Sequence, residues 1–365
     1  MKILLVRLRQ IGDVVFTTPA IRALRDRFPD SQISYVVEPA AAPVVERNTR
    51  LTQVIVAPRA RGFAGLRRDI LLGFLLRDEH YDVAIDFHGG PRASLLTWLS
   101  RAPIRIGYDI PGRSWMYTRI VGRPRELRAR HSVVNQWDLL KSLGVAQSSP
   151  DAYPVEMPLD PDVARAVRSR VAAAGVSAGD RLVIIHVSAG NPFRRWPIPS
   201  FGDVAAALIT RHQNLCVVIT SGPSERDAAA RVIAHAREHV QVSDRARVVD
   251  CGDFSLPELR ALVEGAALYI GGDSGPMHIA ATSHVPMISI YGPTLPARSA
   301  PWRPAEWPAA AIEIQGLECR PCDQRVCAPG DFRCLLRIEP RQVIEMAERL
   351  VNSITPDMKS RNFRI

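Results

Sequence analysis

Short apolar runs alternate with segments of helical periodicity along the whole chain, and that alternation restricts the fold more than any other feature of the sequence. Lys2–Val6, Ile33–Val37, Val54–Ala57, Val83–Asp86 and Ile104–Ile106 read as strands, with helical periodicity over 17–28, 66–77 and 92–99 between them. A closing helix over 131–143 and a turn-rich polar stretch at 147–154 end this half. The plan then repeats, with strands at Leu182–Val187, Leu215–Thr220, Arg247–Asp250, Ala267–Ile270 and Met287–Tyr291. Helices fall at 201–211, 225–237 and 256–265, and a last helix at 340–352. Strands joined through helices pair in parallel, and a parallel sheet needs cover on both faces. At 365 residues the chain is too long for one ordinary core. The expectation is an α/β protein of two Rossmann-like, doubly wound domains, 1–155 and 156–340, followed by a C-terminal helix and tail, 341–365.

Within the second half, Gly271-Gly-Asp-Ser-Gly-Pro-Met-His-Ile-Ala-Ala281 reads as a strand end, a tight turn and a helix start in one piece. Two glycines permit the turn, Asp273 or Ser274 can cap, and Pro276 suits a first helical turn. Such a start favours an anion, because its free N–H groups and the helix dipole point the same way. Gly-Asp-Ser-Gly also occurs around the nucleophile of chymotrypsin-like proteases, but those are secreted all-β proteins and this chain has neither their strand pattern nor a signal peptide.

Hydrophobic residues make up 47% of the chain and charged ones 23%, as in a soluble globular protein. No apolar run approaches the roughly 18 residues that cross a bilayer, so the expected location is the cytoplasm. The formal charge is +10, and of 47 Lys plus Arg only Lys2, Lys141 and Lys359 are lysines. Arginine's planar fork suits phosphate, and from Arg101 to Arg130 eight arginines, Arg113 among them, face only Asp109 and Glu126. An anionic partner is therefore expected of the first half. Nucleic acid is not, since no helix-turn-helix, zinc finger or aromatic-basic RNA signature accompanies the arginines.

Met1-Lys-Ile-Leu-Leu-Val-Arg-Leu-Arg-Gln-Ile-Gly-Asp-Val-Val-Phe-Thr-Thr-Pro-Ala-Ile-Arg-Ala-Leu24 resembles the opening of the family 9 glycosyltransferases, the lipopolysaccharide heptosyltransferases. Asp273–Ala281 followed by Tyr291-Gly-Pro-Thr294 resembles that family's donor-site signature. His186 to Pro197, ending Arg194-Arg-Trp-Pro197, is similar to its basic-X-Trp-Pro element, and Gly222-Pro-Ser-Glu225 to its ribose-contacting turn. The resemblance runs nearly the full chain in the right order. It implies the GT-B type of fold, two such domains facing a cleft, with the acceptor on the first and a nucleotide sugar on the second.

Inverting transfer of a heptose from ADP-heptose to the phosphorylated inner core of lipopolysaccharide is what this family membership would mean. Asp13 matches the family's proposed base. Its alternative reading is an N-cap for the helix that follows. The diphosphate would be met by amides at Ser274, Gly275 and Met277 around Pro276, and by Arg194 or Arg195, since the position two before Trp196, often Lys in the family, is Arg194 here. Glu225 would accept from a ribose hydroxyl, and Asp273 would orient the donor sugar or the loop. Ser274 is a cap or phosphate contact and no nucleophile, and His278 either packs or binds. Arg61, Arg92, Ser94 and Arg113, with Arg59, Arg67 and Arg68, are the acceptor candidates, and the same charge suits a transient stay on the anionic inner membrane surface. No metal or other cofactor is required in this scheme. Asp160-Pro-Asp162 lies in a polar region just after the linker, where no Asp-X-Asp metal holder is expected.

Cys216 and Cys251 sit in or after buried-strand patterns and read as inert core thiols. Cys319-X2-Cys322-X4-Cys327-X6-Cys334 is a different case: structural zinc, an iron–sulfur cluster, a loop disulfide and reduced thiols all remain open. Three other functions share parts of the pattern. A family member using another nucleotide sugar would keep every element; a sugar-nucleotide epimerase of GT-B-like fold would keep the donor turn without needing Asp13; a nucleotide or polyanion binder would keep the arginines alone.

Overall fold

The computed structural model of the protein describes residues 1–122, 130–147, 149–187 and 189–352. It divides into two compact units, Met1–Pro158 with Trp302–Pro304, and Leu159–Pro301 with the chain from Ala305. In the first unit β1 (Lys2–Val6), β2 (Gln32–Val37), β3 (Gln53–Val56), β4 (Val83–Asp86), β5 (Ile104–Tyr108) and β6 (Arg119–Val121) form one parallel sheet in the order β3-β2-β1-β4-β5-β6. Helices α1 (Ile11–Val15), α2 (Thr18–Arg27), α3 (Gly62–Asp78), α4 (Pro91–Leu99) and α5 (Ser132–Lys141) connect the strands. Ile3, Leu4, Leu5 and Val6 are all fully buried, so the apolar run of β1 is explained by burial on both of its faces.

The second unit winds identically. Strands β7 (Arg181–His186), β8 (Leu215–Thr220), β9 (Val248–Asp250), β10 (Leu268–Gly272), β11 (Met287–Tyr291) and β12 (Ala309–Glu313) lie in the parallel order β9-β8-β7-β10-β11-β12. Its helices are α6 (Pro161–Ala173), α7 (Ile198–Arg211), α8 (Arg226–Glu238), α9 (Leu256–Glu264), α10 (Gly275–Ala280), α11 (Pro296–Ser299), α12 (Arg333–Leu336) and α13 (Pro340–Asn352). Ser255 and Glu258 close a capping box at the start of α9, each side chain meeting the other residue's backbone N–H.

Several parts of the chain depart from the sequence expectation. The edge strands β6 (Arg-Ile-Val) and β12 (Ala-Ala-Ala-Ile-Glu) are not read as strands in the sequence, since the first is only three residues long and the second is mostly alanine, a weak strand former. Asp160-Pro-Asp162 is the start of α6: the Asp160 carboxylate accepts from the amides of Asp162 (3.0 Å) and Val163 (3.4 Å), with Pro161 in the first turn. Finally, Trp302–Pro304 packs with the first unit although it lies far inside the second in sequence. Val155 N donates to Trp302 O (3.0 Å), the Trp302 indole N–H donates to Tyr153 O (2.9 Å), and the indole lies 4.8 Å from the His131 ring.

Gly202 of α7 permits close approach to α8. A Cβ there would stand 2.4 Å from the His235 ring, which Asp203 holds through a 2.7 Å contact at Nε2. Gly202→Val is expected to lower stability by about 1–3 kcal/mol, the usual cost of overpacking, seen as a lower urea midpoint. An unchanged midpoint would mean that α7 and α8 part freely.

Candidate active site

In a doubly wound sheet the strand order reverses at one point, and the crevice beyond the carboxyl ends of the two strands there is where ligands bind. In the first unit those strands are β1 and β4, and in the second β7 and β10. The candidate residues collect at these two strand ends, and each is described within its own unit.

In the second unit β10 ends in Gly271-Gly272, and the backbone turns through Asp273 into α10. A Cβ on Gly272 would approach Arg194 O to 3.3 Å, so the glycine lets the Arg194 turn lie close. Asp273 is buried. Arg194 Nη1 donates to its carboxylate (3.3 Å) and to its carbonyl (3.2 Å), while Arg194 Nε donates to Gln324 Oε1 at 2.6 Å. Gln324 also accepts from Asn191 Nδ2 (3.0 Å), and its own amide donates to Cys322 Sγ (3.2 Å). Phe193 packs on Phe332 with ring centroids 5.3 Å apart. The cysteine-rich loop thus props the turn that carries Arg194, a role that no local pattern announces.

Arg195 points elsewhere. Its Nε donates to Ala189 O (2.9 Å) and its Nη2 to Glu225 Oε1 (2.7 Å), and Ser224 Oγ donates to the second oxygen of the buried Glu225. The two joint candidates for the diphosphate cation therefore divide: Arg194 serves Asp273 and Arg195 serves Glu225. Trp196, buried beside them, donates from its indole to Ile338 O (3.1 Å) and anchors the turn.

Around α10 the amides are only partly open to a ligand. Pro276 has no N–H, and the amides of Met277 and His278 both donate to Ser274 O (3.1 and 3.4 Å). Ser274 occupies the cap position without a side-chain cap bond, and its buried Oγ has no hydrogen-bond partner among the described residues. His278 is buried with Nε2 3.7 Å from Asp273 Oδ1. His186, the last residue of β7, was not among the sequence-derived site residues. Its Nδ1 pairs with Thr220 Oγ1 (2.9 Å), its buried Nε2 has no hydrogen-bond partner among the described residues, and burial pushes its pKa down to about 4. The readable signal was its place at the end of the strand that flanks the switch point.

In the first unit Asp13 is the third residue of α1. The cap position belongs to Gln10, so the N-cap reading of Asp13 is set aside. Its carboxylate is paired with the Arg7 guanidinium, and Asp13 is the more exposed partner, 37% against 13%. Arg7 also donates from Nη1 to Phe87 O at 2.5 Å, which ties the ends of β1 and β4 together. His88 stands in the same field. Burial first, then the Arg7 and Arg9 cations, push its pKa down to about 4, against the opposing effect of Asp13.

Several acceptor candidates turn out to be structural. Asp86, at the end of β4, is fully buried and accepts from Tyr117 Oη (2.6 Å), the amides of His88 and Gly89 (both 2.8 Å) and Ser94 Oγ (3.2 Å); burial raises its pKa. Ser94, itself fully buried, is thereby corrected from an acceptor contact to a support of Asp86. Arg92 is corrected likewise: it spans Asp69 (2.9 and 3.0 Å), Glu38 (2.9 Å) and the carbonyls of Ala57 and Pro58. Arg113 donates to Gly89 O (3.1 Å), whereas Arg61, at the cap of α3, is exposed.

The arginines from 101 to 130 are not one open surface. Arg101 lies over the Trp98 ring, Arg105 and Arg119 donate to carbonyls, and Arg130 pairs with Asp138. Arg123, Arg125 and Arg128 lie outside the described residues. All six cysteines are free thiols. Burial pushes the pKa of Cys216 up to about 12 and that of Cys251 to about 11, as befits inert core thiols. Cys319, Cys322, Cys327 and Cys334 do not gather into a ligand set among the described residues.

The folded pKa of His186 lies below the ordinary value of 6.5, so between about 4 and 6.5 the unfolded chain binds the extra proton and stability falls as the pH falls through that window. Full protonation corresponds to roughly 3 kcal/mol by the usual conversion. His186→Gln is therefore expected to flatten the loss of urea-unfolding stability between pH 7 and pH 4.5 relative to wild type; parallel curves would show that His186 titrates normally.

Residues 72–331 match the family model described as glycosyltransferase family 9 (heptosyltransferase). The chain is 29% identical to lipopolysaccharide heptosyltransferase 3 of Escherichia coli, over 94% of this chain and 97% of that one. Among solved structures it is similar to the family 9 glycosyl transferase of Veillonella parvula, with a TM-score of 0.83, 24% identity and coverage of 97% and 98%. It is also similar to the ADP-heptose lipopolysaccharide heptosyltransferase II of Escherichia coli, with a TM-score of 0.76, 19% identity and coverage of 96% and 99%. These likenesses bear out the expected GT-B-type α/β fold. With its two doubly wound units and the family model matching well over half its length, the chain belongs to glycosyltransferase family 9, the heptosyltransferases.

Proposed function

We propose that the protein moves a heptose from ADP-heptose to the phosphorylated inner core of lipopolysaccharide, with inversion at the anomeric carbon and without a metal. The observation that carries this reading is the setting of Arg194, a guanidinium held between Asp273 and Gln324 where β10 turns into α10. A departing nucleoside diphosphate needs positive charge at its bridging and terminal oxygens, and a preorganised guanidinium supplies it bidentately. The amides of Ser274 and Gly275, which the helix does not use, add two donors. Glu225 accepts from a ribose hydroxyl once Arg195 yields, and Asp273 keeps Arg194 in register. The naming of the Escherichia coli relative for ADP-heptose supports the choice of donor.

Asp13 takes the proton from the acceptor hydroxyl as that oxygen bonds to the anomeric carbon. The bond from that carbon to the phosphate oxygen breaks, and its electron pair leaves with ADP. Arg7 holds the carboxylate in place before the acceptor arrives. Arg61 and Arg113 remain the acceptor-facing cations. No described helix is long and apolar enough to cross a membrane. The protein reaches a lipid-borne acceptor from the cytoplasmic side, as a peripheral visitor to the inner membrane.

Asp13→Ala is expected to lower turnover by 10²–10⁴-fold, the range of a lost general base, while thermal protection by ADP-heptose stays near wild type. Unchanged turnover sinks the assignment. In a panel of ADP-, UDP- and GDP-sugars only the ADP sugars should raise the melting temperature; protection by UDP- or GDP-sugars alone would point to a family member with another donor. Gln324→Ala should raise the donor KM several-fold and leave kcat near wild type, whereas an unaltered KM would detach the cysteine-rich loop from donor binding.

A further inference from the structure

The outer face of α3 contradicts the ordinary pattern of a surface helix. Gly65, Gly73 and Leu76 are its buried positions, and a Cβ on Gly73 would stand 2.4 Å from Leu99 of α4, so one side of α3 is packed closely on its neighbour. The other side is expected to be polar. Instead Phe63, Leu66, Ile70 and Phe74, spaced three and four residues apart, form one stripe, flanked by Leu71 and Leu75, and all of them are exposed. Phe63 is 83% exposed and Leu75 65%. An apolar helix face left in water marks a surface that something covers.

Charge around the stripe indicates what. Arg59, Arg61, Arg67 and Arg68 are exposed, and none of their four guanidinium groups forms an ion pair or a hydrogen bond among the described residues. Asp69, the acid nearest to them on the helix, is occupied by Arg92 (2.9 Å), and Asp78 lies at the far end of α3. Apolar side chains beside unpaired arginines suit a surface with negative headgroups above an apolar interior. A second copy of the chain suits it poorly, because two-fold pairing of this face would set arginine against arginine with no acid between them.

We propose that α3 lies in the interface of an anionic phospholipid bilayer, Phe63, Leu66, Ile70 and Phe74 entering the acyl boundary and Arg59, Arg67 and Arg68 meeting lipid phosphates. The inference deepens the reading that the acceptor is lipid-borne, and it gives that reading a defined contact surface.

The test is co-sedimentation of the full chain with vesicles of phosphatidylglycerol and phosphatidylethanolamine, and with vesicles of phosphatidylcholine alone. The comparison is with a triple variant, Phe63→Gln, Leu71→Gln, Phe74→Gln, whose residues are exposed and take no part in the proposed chemistry. Wild type should pellet with the anionic vesicles and weakly with the neutral ones. The variant should lose at least tenfold in partitioning while transferring sugar to an acyl-free, water-soluble acceptor at the wild-type rate. The proposal is overturned if the variant pellets like wild type or if wild type pellets with neither vesicle. It is also overturned if wild type is a dimer that the variant breaks, since the second copy is then the occupant. Failure of the wild-type protein to glycosylate the soluble acceptor would instead strike the heptosyl-transfer reading, whatever the vesicles show.

Discussion

Everything chemical in this chain is placed by one constraint: a parallel sheet buried on both faces has no open surface except at its strand ends. β1 and β8 are buried along nearly their whole lengths, so neither can present a side chain to a substrate from mid-strand. Polar groups collect where the strands stop, as at Arg7 and Asp13 after β1, Asp86 at the end of β4, His186 at the end of β7 and Asp273 after β10. In both sheets the strand order reverses beside the first strand, which gives each unit one such place.

Buried carboxylates show how the two units differ. Asp86 is satisfied by neutral donors, a phenol, a hydroxyl and two amides, and its pKa rises with burial. It is a fixed internal joint that ties the β4 loop to Tyr117. Asp273 and Glu225 are each paired with an arginine instead. A neutral hydrogen-bonded joint gains nothing from an incoming phosphate, while a guanidinium shared with a carboxylate keeps donors on its far edge for one. Arg194, with Gln324 on its Nε, is the better held of the two arginines.

The sequence was most readable where local patterning and burial coincide. Lys2–Val6, Val83–Asp86, Leu215–Thr220, Met287–Tyr291 and the helix at 340–352 appear with the expected limits. β6 is too short and β12 too rich in alanine to show a strand pattern, and the Asp-Pro-Asp start of α6 reads as linker polarity although it spells a helix cap. The acceptor arginines misled for another reason. Arg92 looks free in sequence, but its carboxylate partners lie 23 and 54 residues away, and only the folded chain brings them in. Gln324 reaches Arg194 across 130 residues, and no local pattern announces such a contact. Asp13, by contrast, is proposed through the resemblance of the whole opening segment, which carries information that spacing alone does not.

The return of Trp302–Pro304 to the first unit bears on how such a protein can be rearranged. A gene cut near residue 158 yields a first half that lacks the indole resting on His131 and bonded to Tyr153 O. Exchange of halves between relatives by a single crossover therefore mixes a Tyr153 region from one parent with a Trp302 segment from the other. Lineages that swap donor specificity by recombination would have to keep those two segments matched, so variation is channelled into the loops at the strand ends and away from wholesale replacement of a unit.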